Sequence, residues 1–147
     1  MLIARNSFVT THFYPQEKIL VSVYKGRSNV ELGIKHLEAV IEFYSKNEVK
    51  GSIVDITKIY GSFSKGVDFL KQSYYPVAVE SGLYCQAYVI PNDIIVETLS
   101  NKLVSMALSF IEKARAFTDR DKAEEWVKKE LSKHLDSPSK YQLETEK

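Results

Sequence analysis

The segment VKGSIVDI, residues 49–56, decides the fold class of this chain. It is short, rich in β-branched side chains, and lacks the polar alternation of a strand that faces water on one side. A strand with this pattern is covered on both faces, as in a parallel sheet. A second run of the same kind, LYCQAYVI at residues 83–90, ends at Pro91. Together the two runs predict a mostly parallel β-sheet.

A helical pattern precedes the first of these strands. An apolar stripe with steps of three and four predicts a helix over about residues 28–46, formed by Val30, Ile34, Leu37, Ile41 and Tyr44. Ser28 and Glu31 have the spacing of a capping box, in which the two side chains satisfy free N–H groups at the helix start. Asn47 is expected to end this helix.

Three more helices follow, interleaved with strands. The second opens near Ser64, and Pro76 either limits it or restarts it in a first turn, because proline has no N–H to donate. The third is capped by Asn92 or Asp93, with an apolar face of Ile95, Leu99, Leu103 and Met106. A short strand at 113–117 then leads through Thr118 and Asp119 to a last helix that buries Ala123, Trp126, Val127 and Leu131.

The N-terminal part predicts an antiparallel hairpin. Its strands are SFVTTHFY at 7–14 and ILVSVY at 19–24, and Gly26 is expected to end the second. In that strand Ile19, Val21 and Val23 form the buried face, whereas Ser22 and Tyr24 lie on the opposite face. The predicted architecture is one α/β domain over residues 1–135, with a mostly parallel sheet fronted by the hairpin and about four helices. Residues 136–147 are polar and aperiodic, which predicts a disordered tail.

The composition excludes several classes of protein. Of the 147 residues, 44% are hydrophobic, and 20 basic residues balance 19 acidic ones. A nucleic-acid binder would carry a basic excess, and a membrane span would need about 20 consecutive apolar residues. The start, MLIARNSF, is too short and polar for a signal peptide. We therefore expect a cytoplasmic globular protein that binds neither nucleic acid nor membrane.

The segment IVDITKIYGSFSKGVDFL, residues 53–70, resembles the signature stretch of the STAS domain, the fold of bacterial anti-sigma factor antagonists. Without a gap, five positions match that pattern of strand, aspartate, apolar connector and Asp-Ser-x-Gly helix start: Asp55, Ile59, Ser64, Gly66 and Leu70. The ending AFTDRDKAEEWVKKEL also resembles the last strand and helix of STAS-like proteins. The resemblance covers about residues 7–133 and implies a STAS-like, SpoIIAA-like fold.

The resemblance also implies a regulatory role, with one departure. In anti-sigma factor antagonists the serine that matches Ser64 is phosphorylated by a partner kinase, and an aspartate precedes it. This chain has Phe63 in place of that aspartate, so it is more similar to the divergent SpoIIAA-like proteins. Apart from the resemblance, capping a helix is sufficient to explain a serine at position 64. A phosphate at that position would nevertheless be favoured by the positive end of the helix dipole.

The connector after the first buried strand is the expected interaction surface. Open α/β sheets bind ligands beyond the carboxyl ends of their strands, and exposed aromatic side chains offer large contact areas to partners. Tyr60 is the better candidate for exposure, and Phe63 is expected to pack inward. The predicted interaction residues are Asp55, Thr57, Lys58, Tyr60, Phe63 and Ser64.

No pattern of catalytic or metal-binding residues is recognisable. His12, His36 and His134 are widely spaced and have no triad partners nearby in sequence, and Cys85 is expected to be an inert core thiol. We expect no cofactor and no metal. Asn92 and Asp119 are expected to serve as helix caps or turn formers.

Three functions remain open on these residues. The first is a non-enzymatic, STAS-like domain that binds a protein partner through the segment Thr57–Phe63 and Ser64. The second is a module for a small apolar molecule or lipid, held between helices and sheet. That arrangement also resembles the lipid-carrying domains sometimes grouped with STAS proteins. The third, an enzyme, ranks last, and unpaired sheet edges could support a homodimer.

Overall fold

A computed structural model describes residues 1–61, 64–92 and 94–136 of the chain. It contains six β-strands: β1 (Leu2–Arg5), β2 (Val9–Tyr14), β3 (Ile19–Arg27), β4 (Gly51–Tyr60), β5 (Cys85–Val89) and β6 (Lys113–Phe117). The α-helices are α1 (Val30–Lys46), α2 (Val67–Phe69), α3 (Tyr75–Ser81), α4 (Ile94–Leu108) and α5 (Arg120–Asp136). A 3-10 turn (Ser64–Gly66), α2, a π-helical segment (Leu70–Tyr74) and α3 follow one another directly, and we call residues 64–81 the composite helix.

The strands form a single sheet in the order of the sequence, β1-β2-β3-β4-β5-β6. The first three strands pair antiparallel, and β3 to β6 pair parallel. The predicted class, a mostly parallel α/β sheet fronted by an antiparallel hairpin, is confirmed. Counting the composite helix as one, four helical regions accompany the sheet, as expected.

Helix α5 covers one face of the sheet. Its residues Ala123, Val127 and Leu131 pack on strand residues that include Ile19, Ile53 and Cys85. At Gly51 the approach is so close that an added Cβ would lie 2.9 Å from Cγ1 of Val127. Any larger residue at the start of β4 would therefore push α5 away from the sheet.

The opposite face is covered by α1, the composite helix and α4. Side chains alternate between the two faces of a strand, so Leu20, Ser22 and Tyr24 of β3 point toward these helices. The expectation that Ser22 and Tyr24 lie on the uncovered side of the hairpin is wrong. Strand β3 lies inside the sheet, between β2 and β4. Helix α5 covers one of its faces, and α1 and the composite helix cover the other.

The cap of helix α1 differs from the prediction. Asn29, rather than Ser28, is the N-cap residue, and its Oδ1 accepts a hydrogen bond from the backbone N–H of Leu32 at 3.0 Å. The backbone N–H of Ser28 instead donates to the carbonyl of Tyr60 at 2.8 Å. The predicted end of the helix is confirmed, since Asn47 is the C-cap residue.

Strand β4 is longer than predicted, and so is its partner β3. Residues 57–60, expected in a connector, belong to β4, and residues 58–60 pair in parallel with the end of β3. Gly26, expected to end β3, lies within it at φ +93°. The register shifts after Val23, where β4 has one residue more than β3. Such a bulge leaves a backbone N–H without its ladder partner. Asp55 replaces that partner, since its Oδ1 accepts from the N–H of Thr57 at 3.0 Å.

Strand β1 and the π-helical turn before Pro76 were not predicted. Strand β1 extends the hairpin, and the amino group of Met1 donates to the carbonyl of Phe13 at 3.0 Å. In the composite helix, Pro76 restarts the helix near the beginning of α3, which is one of the two predicted outcomes. The preceding turn is π-helical, with the N–H of Tyr75 donating to the carbonyl of Leu70. Proline explains this turn, because it offers no N–H to the carbonyl four residues earlier and crowds it.

Some predictions fall on residues outside the described part of the chain. These are the cap at Asp93, the segment Ser62–Phe63 and residues 137–147 of the expected tail. The side chains of Ile95 and Leu99 are likewise not described, whereas Leu103 on the same helix is buried.

A histidine is buried where α1 packs on the hairpin. His36 is 3% exposed, and its Nε2 lies 2.6 Å from Oγ1 of Thr11, which also lies 2.7 Å from Oγ of Ser22. Burial lowers the pKa of His36 from 6.5 to about 4. The folded protein therefore holds a neutral imidazole at a pH where the unfolded chain would already be protonated.

We expect acidification to destabilise the protein through His36. Stability is complete above pH 6.5 and falls as the pH drops toward 4, because only the unfolded state takes up the proton. Between pH 7.5 and pH 5 the loss attributable to this group is about 2 kcal/mol. Urea unfolding of the wild type and of His36→Gln at the two pH values measures it.

His12→Gln serves as the control, because it replaces a different histidine, on strand β2. We expect this variant to lose as much stability on acidification as the wild type. An equal loss of stability on acidification in the wild type and in His36→Gln would contradict the assignment.

Candidate functional site

A cavity of about 110 Å³ lies between α1, the composite helix and the sheet. Strands β3, β4 and β5 form its base, α1 and the composite helix form its walls, and Phe8 and Leu103 complete the lining. The rim reaches the surface at Asn29, which is exposed. The cavity therefore lies beside the N-terminus of α1.

The walls of the cavity are apolar. The side chains from the helices are aliphatic, and together with the apolar strand residues they provide most of the lining: Val30, Ile34, Leu37, Val40, Val67, Leu70, Leu20, Val54, Ile56 and Ile59. Gly33 and Gly66 present no side chain to the space. An interior of this kind favours an apolar occupant over water.

Three polar residues break the apolar pattern at the base. Ser22, Ser52 and Gln86 come from three neighbouring strands, and we call them the polar row. Ser52 and Gln86 are directly paired in register, and Nε2 of Gln86 donates to Oγ of Ser52 at 3.1 Å. Oε1 of Gln86 accepts from the hydroxyl of Tyr75 at 2.5 Å. The buried amide is thus satisfied on both of its ends.

A cluster of tyrosines extends this network. The hydroxyls of Tyr44 and Tyr74 lie 2.7 Å apart, as do those of Tyr75 and Tyr88. Since Tyr75 uses its only proton on Gln86, Tyr88 is the donor in the second pair. Burial raises the pKa of each of these four hydroxyls, so they remain neutral at physiological pH.

Tyr24 is a fifth tyrosine at the cavity. Its ring meets Phe8 edge to face, with centroids 5.3 Å apart. Burial, followed by the proximity of Tyr74, raises the pKa of Tyr24. Among the described residues its hydroxyl has no hydrogen-bond partner.

The structure gives Asp55 and Thr57 a structural role on the other face of the sheet. Asp55 is 7% exposed, and its Oδ1 accepts from Oγ1 of Thr57 at 2.6 Å. Its Oδ2 lies 3.4 Å from Nη1 of Arg120, which also contacts Glu124. The carboxylate therefore ties the bulge of β4 to the first turn of α5.

The rest of the predicted interaction segment divides into two parts. Lys58 and Tyr60 are exposed, and Tyr60 is 63% accessible, which confirms the expectation for that residue. Their backbone is held in β4 and does not form a loop. Phe63 lies outside the described residues, and of Ser64 only the backbone, in the 3-10 turn, is described.

A second depression of about 410 Å³ lies at the carboxyl ends of β5 and β6. Asn92, Thr118 and Asp119 line it, so the structure brings these residues to one edge of the sheet. Asp119 acts as a helix cap, since its Oδ1 accepts from the N–H groups of Asp121 and Lys122 at 2.8 and 3.3 Å. Its carboxylate is therefore occupied by the start of α5.

Among the described residues, Lys122 lines the second depression beside Asp119, whereas no Asp, Glu, Lys, Arg, His or Cys lines the cavity. Cys85 is fully buried, and burial raises its thiol pKa to about 12, which confirms an inert core thiol. His134 stacks on Tyr84 with ring centroids 3.9 Å apart. Within residues 1–61, 64–92 and 94–136, no group of three or more His, Cys, Asp or Glu side chains could hold a metal ion.

The sequence allowed a pocket between the helices and the sheet, but it did not identify the residues that line it or its polar row. One signal was available: Gln86 stands inside the otherwise apolar run LYCQAYVI, where a buried amide demands partners. The number of tyrosines, nine in 147 residues, was another. Neither signal shows which helix would supply the partners of Gln86, because those partners are distant from it in sequence.

Comparison with known proteins establishes the fold. The chain is similar to the crystal structure of an uncharacterised protein of the DUF3478 family, with a SpoIIAA-like fold, from Shewanella loihica PV-4. The two are 17% identical, the match covers 84% of this chain and 98% of the other, and the TM-score is 0.50. The expected SpoIIAA-like fold is thereby confirmed, at an identity that fits a divergent sequence.

No protein-family model matches the chain, and no curated protein matches it. In the described part of the chain, none of the helices combines the length and the apolar character that crossing a membrane requires.

Proposed function

We propose that the protein is a non-enzymatic, STAS-like binding module whose ligand is a small, largely apolar molecule held in the cavity between α1, the composite helix and the sheet. The observation that carries this proposal is the cavity itself, which has aliphatic walls and a rim at the surface near Asn29. Of the functions that the sequence left open, the structure favours this one over a protein-binding domain.

The size of the cavity sets the scale of the ligand. A dry apolar cavity of about 150 Å³ binds benzene, and the space here is about 110 Å³. Because the space also opens at the rim, a six-membered ring with one exocyclic atom is the largest rigid group that we expect to enter without movement of the walls. A longer molecule would have to leave through the rim beside Ser28 and Asn29.

The wall contains a helical irregularity. Leu70 and Tyr74, both in the π-helical segment, line the cavity. Widened turns of this kind are frequent at functional sites because they reorient side chains without ending the helix. Here the turn carries Tyr74 to the base of the cavity while Leu70 remains in the wall.

Filling the cavity should abolish binding. Val54→Phe, on β4, places a ring in the space, whereas the same substitution at Val79 lies on an exposed part of α3 that does not line the cavity. We expect the wild type and Val79→Phe to bind methylenecyclohexane and Val54→Phe to bind it at least about tenfold more weakly. Titrations followed by amide shifts in two-dimensional NMR measure the affinities and locate the site.

Overpacking could cost Val54→Phe about 1–3 kcal/mol of stability, so its folding is checked by thermal unfolding. Val54→Ala enlarges the space and should keep or improve binding. Absence of binding to the wild type, or equal binding by Val54→Phe and the wild type, would refute the proposal.

A second candidate function is supported by Tyr60. Its side chain is 63% exposed, and its carbonyl accepts from the N–H of Ser28, which lines the cavity rim. A protein partner that docks on Tyr60 and Lys58 would lie next to the opening. The predicted interaction segment and the cavity are therefore neighbours, and Ser64, at the start of the composite helix, is proposed as a phosphorylation site of the same surface.

Replacing Tyr60 tests this second function. We expect wild-type protein used as bait in its source cell to capture a partner, Tyr60→Ala to lose it, and Ser64→Asp to bind it more weakly or more strongly than the wild type. Tyr14→Ala is the matched control, because Tyr14 is also an exposed tyrosine at the end of a strand. If neither Tyr60→Ala nor Ser64→Asp changes the captured proteins, this surface has no such role.

A further inference from the structure

We propose that the ligand of the cavity is electrically neutral and carries a hydrogen-bond acceptor, such as a carbonyl oxygen, that accepts from the hydroxyl of Tyr24. This inference rests on the proposed function, since it specifies the chemistry of the molecule bound there. It follows from the charge of the lining, from the pairing of the other polar groups, and from the position of Tyr24.

The lining determines the charge of the ligand. Every described residue that lines the cavity is uncharged, and its polar groups are hydroxyls and amides. A carboxylate or ammonium group buried among them would have no counter-ion and would lose its hydration. The four paired tyrosines cannot supply a charge either, because burial raises the pKa of each hydroxyl. The buried part of the ligand is therefore neutral.

The other polar side chains at the base are already engaged. Ser22 pairs with Thr11, Ser52 and Tyr75 satisfy Gln86, Tyr88 donates to Tyr75, and Tyr74 pairs with Tyr44. These bonds hold the base of the cavity in one arrangement. A ligand that displaced one of these bonds would leave a buried hydroxyl or amide without a partner, which is unfavourable.

Tyr24 is different from these groups. It follows the polar row on the same face of β3, two residues after Ser22, and it lines the cavity. Tyr24 is half-buried, and among the described residues its hydroxyl has no hydrogen-bond partner. Desolvation raises the pKa of the hydroxyl, so it is a neutral donor at physiological pH. A partly desolvated donor without an acceptor is unfavourable, and a ligand that supplies the acceptor offsets that cost.

The position of Tyr24 on β3 fixes the side of the cavity on which the acceptor lies. Tyr24 and Ser22 share one face of the strand, so the Tyr24 side chain enters the cavity from the sheet. Ile34 and Leu70 line the cavity from α1 and the composite helix. The expected ligand has an apolar ring or short chain against those walls and one acceptor at the other end.

The test compares two molecules of nearly the same shape. Cyclohexanone has an acceptor oxygen where methylenecyclohexane has a carbon, and both are titrated into the wild type, Tyr24→Phe and Tyr14→Phe. For each ligand, the affinity for the variant is compared with the affinity for the wild type, so the different hydration of the two ligands cancels. Tyr14→Phe is the control, since Tyr14 is exposed and lies outside the cavity.

We expect Tyr24→Phe to weaken the binding of cyclohexanone by about 2- to 12-fold, the contribution of one hydrogen bond between neutral groups. The same variant should leave the binding of methylenecyclohexane unchanged or make it tighter, and Tyr14→Phe should change neither. Cyclohexanecarboxylate should bind the wild type more weakly than either neutral molecule. Because Tyr24→Phe removes an unpaired hydroxyl, its melting temperature should not fall.

The outcomes separate this inference from the proposed function. If neither neutral molecule binds the wild type, the proposed function fails, and the inference fails with it. If both molecules bind in the cavity and Tyr24→Phe changes the two affinities equally, the cavity binds ligands but Tyr24 does not select them. In that case the inference alone is overturned. Tighter binding of the carboxylate than of the ketone would also overturn it.

Discussion

The hydrogen bonds of Gln86 are the constraint on which the rest of the structure depends. An amide in the middle of a fully buried strand is tolerated only when both of its ends find partners. Ser52, its neighbour on β4, accepts from the amide nitrogen, and the hydroxyl of Tyr75 donates to the amide oxygen. The second partner comes from the composite helix, so this bond ties the position of that helix to the sheet.

The geometry of the composite helix follows from this tie. Tyr75 immediately precedes Pro76, and the π-helical turn before it allows both Tyr74 and Tyr75 to reach the interior. Their hydroxyls bond to Tyr44 of α1 and to Tyr88 of β5, so α1, the composite helix and the sheet are linked through side chains. Held at their polar ends, these elements leave an apolar space between them, and Tyr24 faces that space as the unpaired member of the cluster. Structure and proposed function therefore share one network.

Much of the fold could be predicted from sequence, because it depends on local patterns. The two apolar runs, the stripe on α1 and the caps at Asn47 and Asp119 are local signals, and the predicted parallel sheet with an antiparallel hairpin is correct. The errors have a common cause, since they depend on pairing between distant segments. Residues 57–60 extend β4 only because the end of β3 lies beside them, and Ser22 and Tyr24 face the interior only because helices cover both sides of the sheet. The residues that line the cavity could not be predicted for the same reason, as they come from seven separate segments.

A crystal structure of the protein soaked with cyclohexanone would show directly whether the cavity binds a neutral ketone through Tyr24. We expect a ring between Ile34, Val54 and Leu70, with its carbonyl oxygen within hydrogen-bond distance of the Tyr24 hydroxyl and with the bonds of Gln86 to Tyr75 and Ser52 intact. A ring bound elsewhere on the protein while the cavity is closed or holds only water would contradict this expectation. So would a ring in the cavity whose oxygen points away from Tyr24.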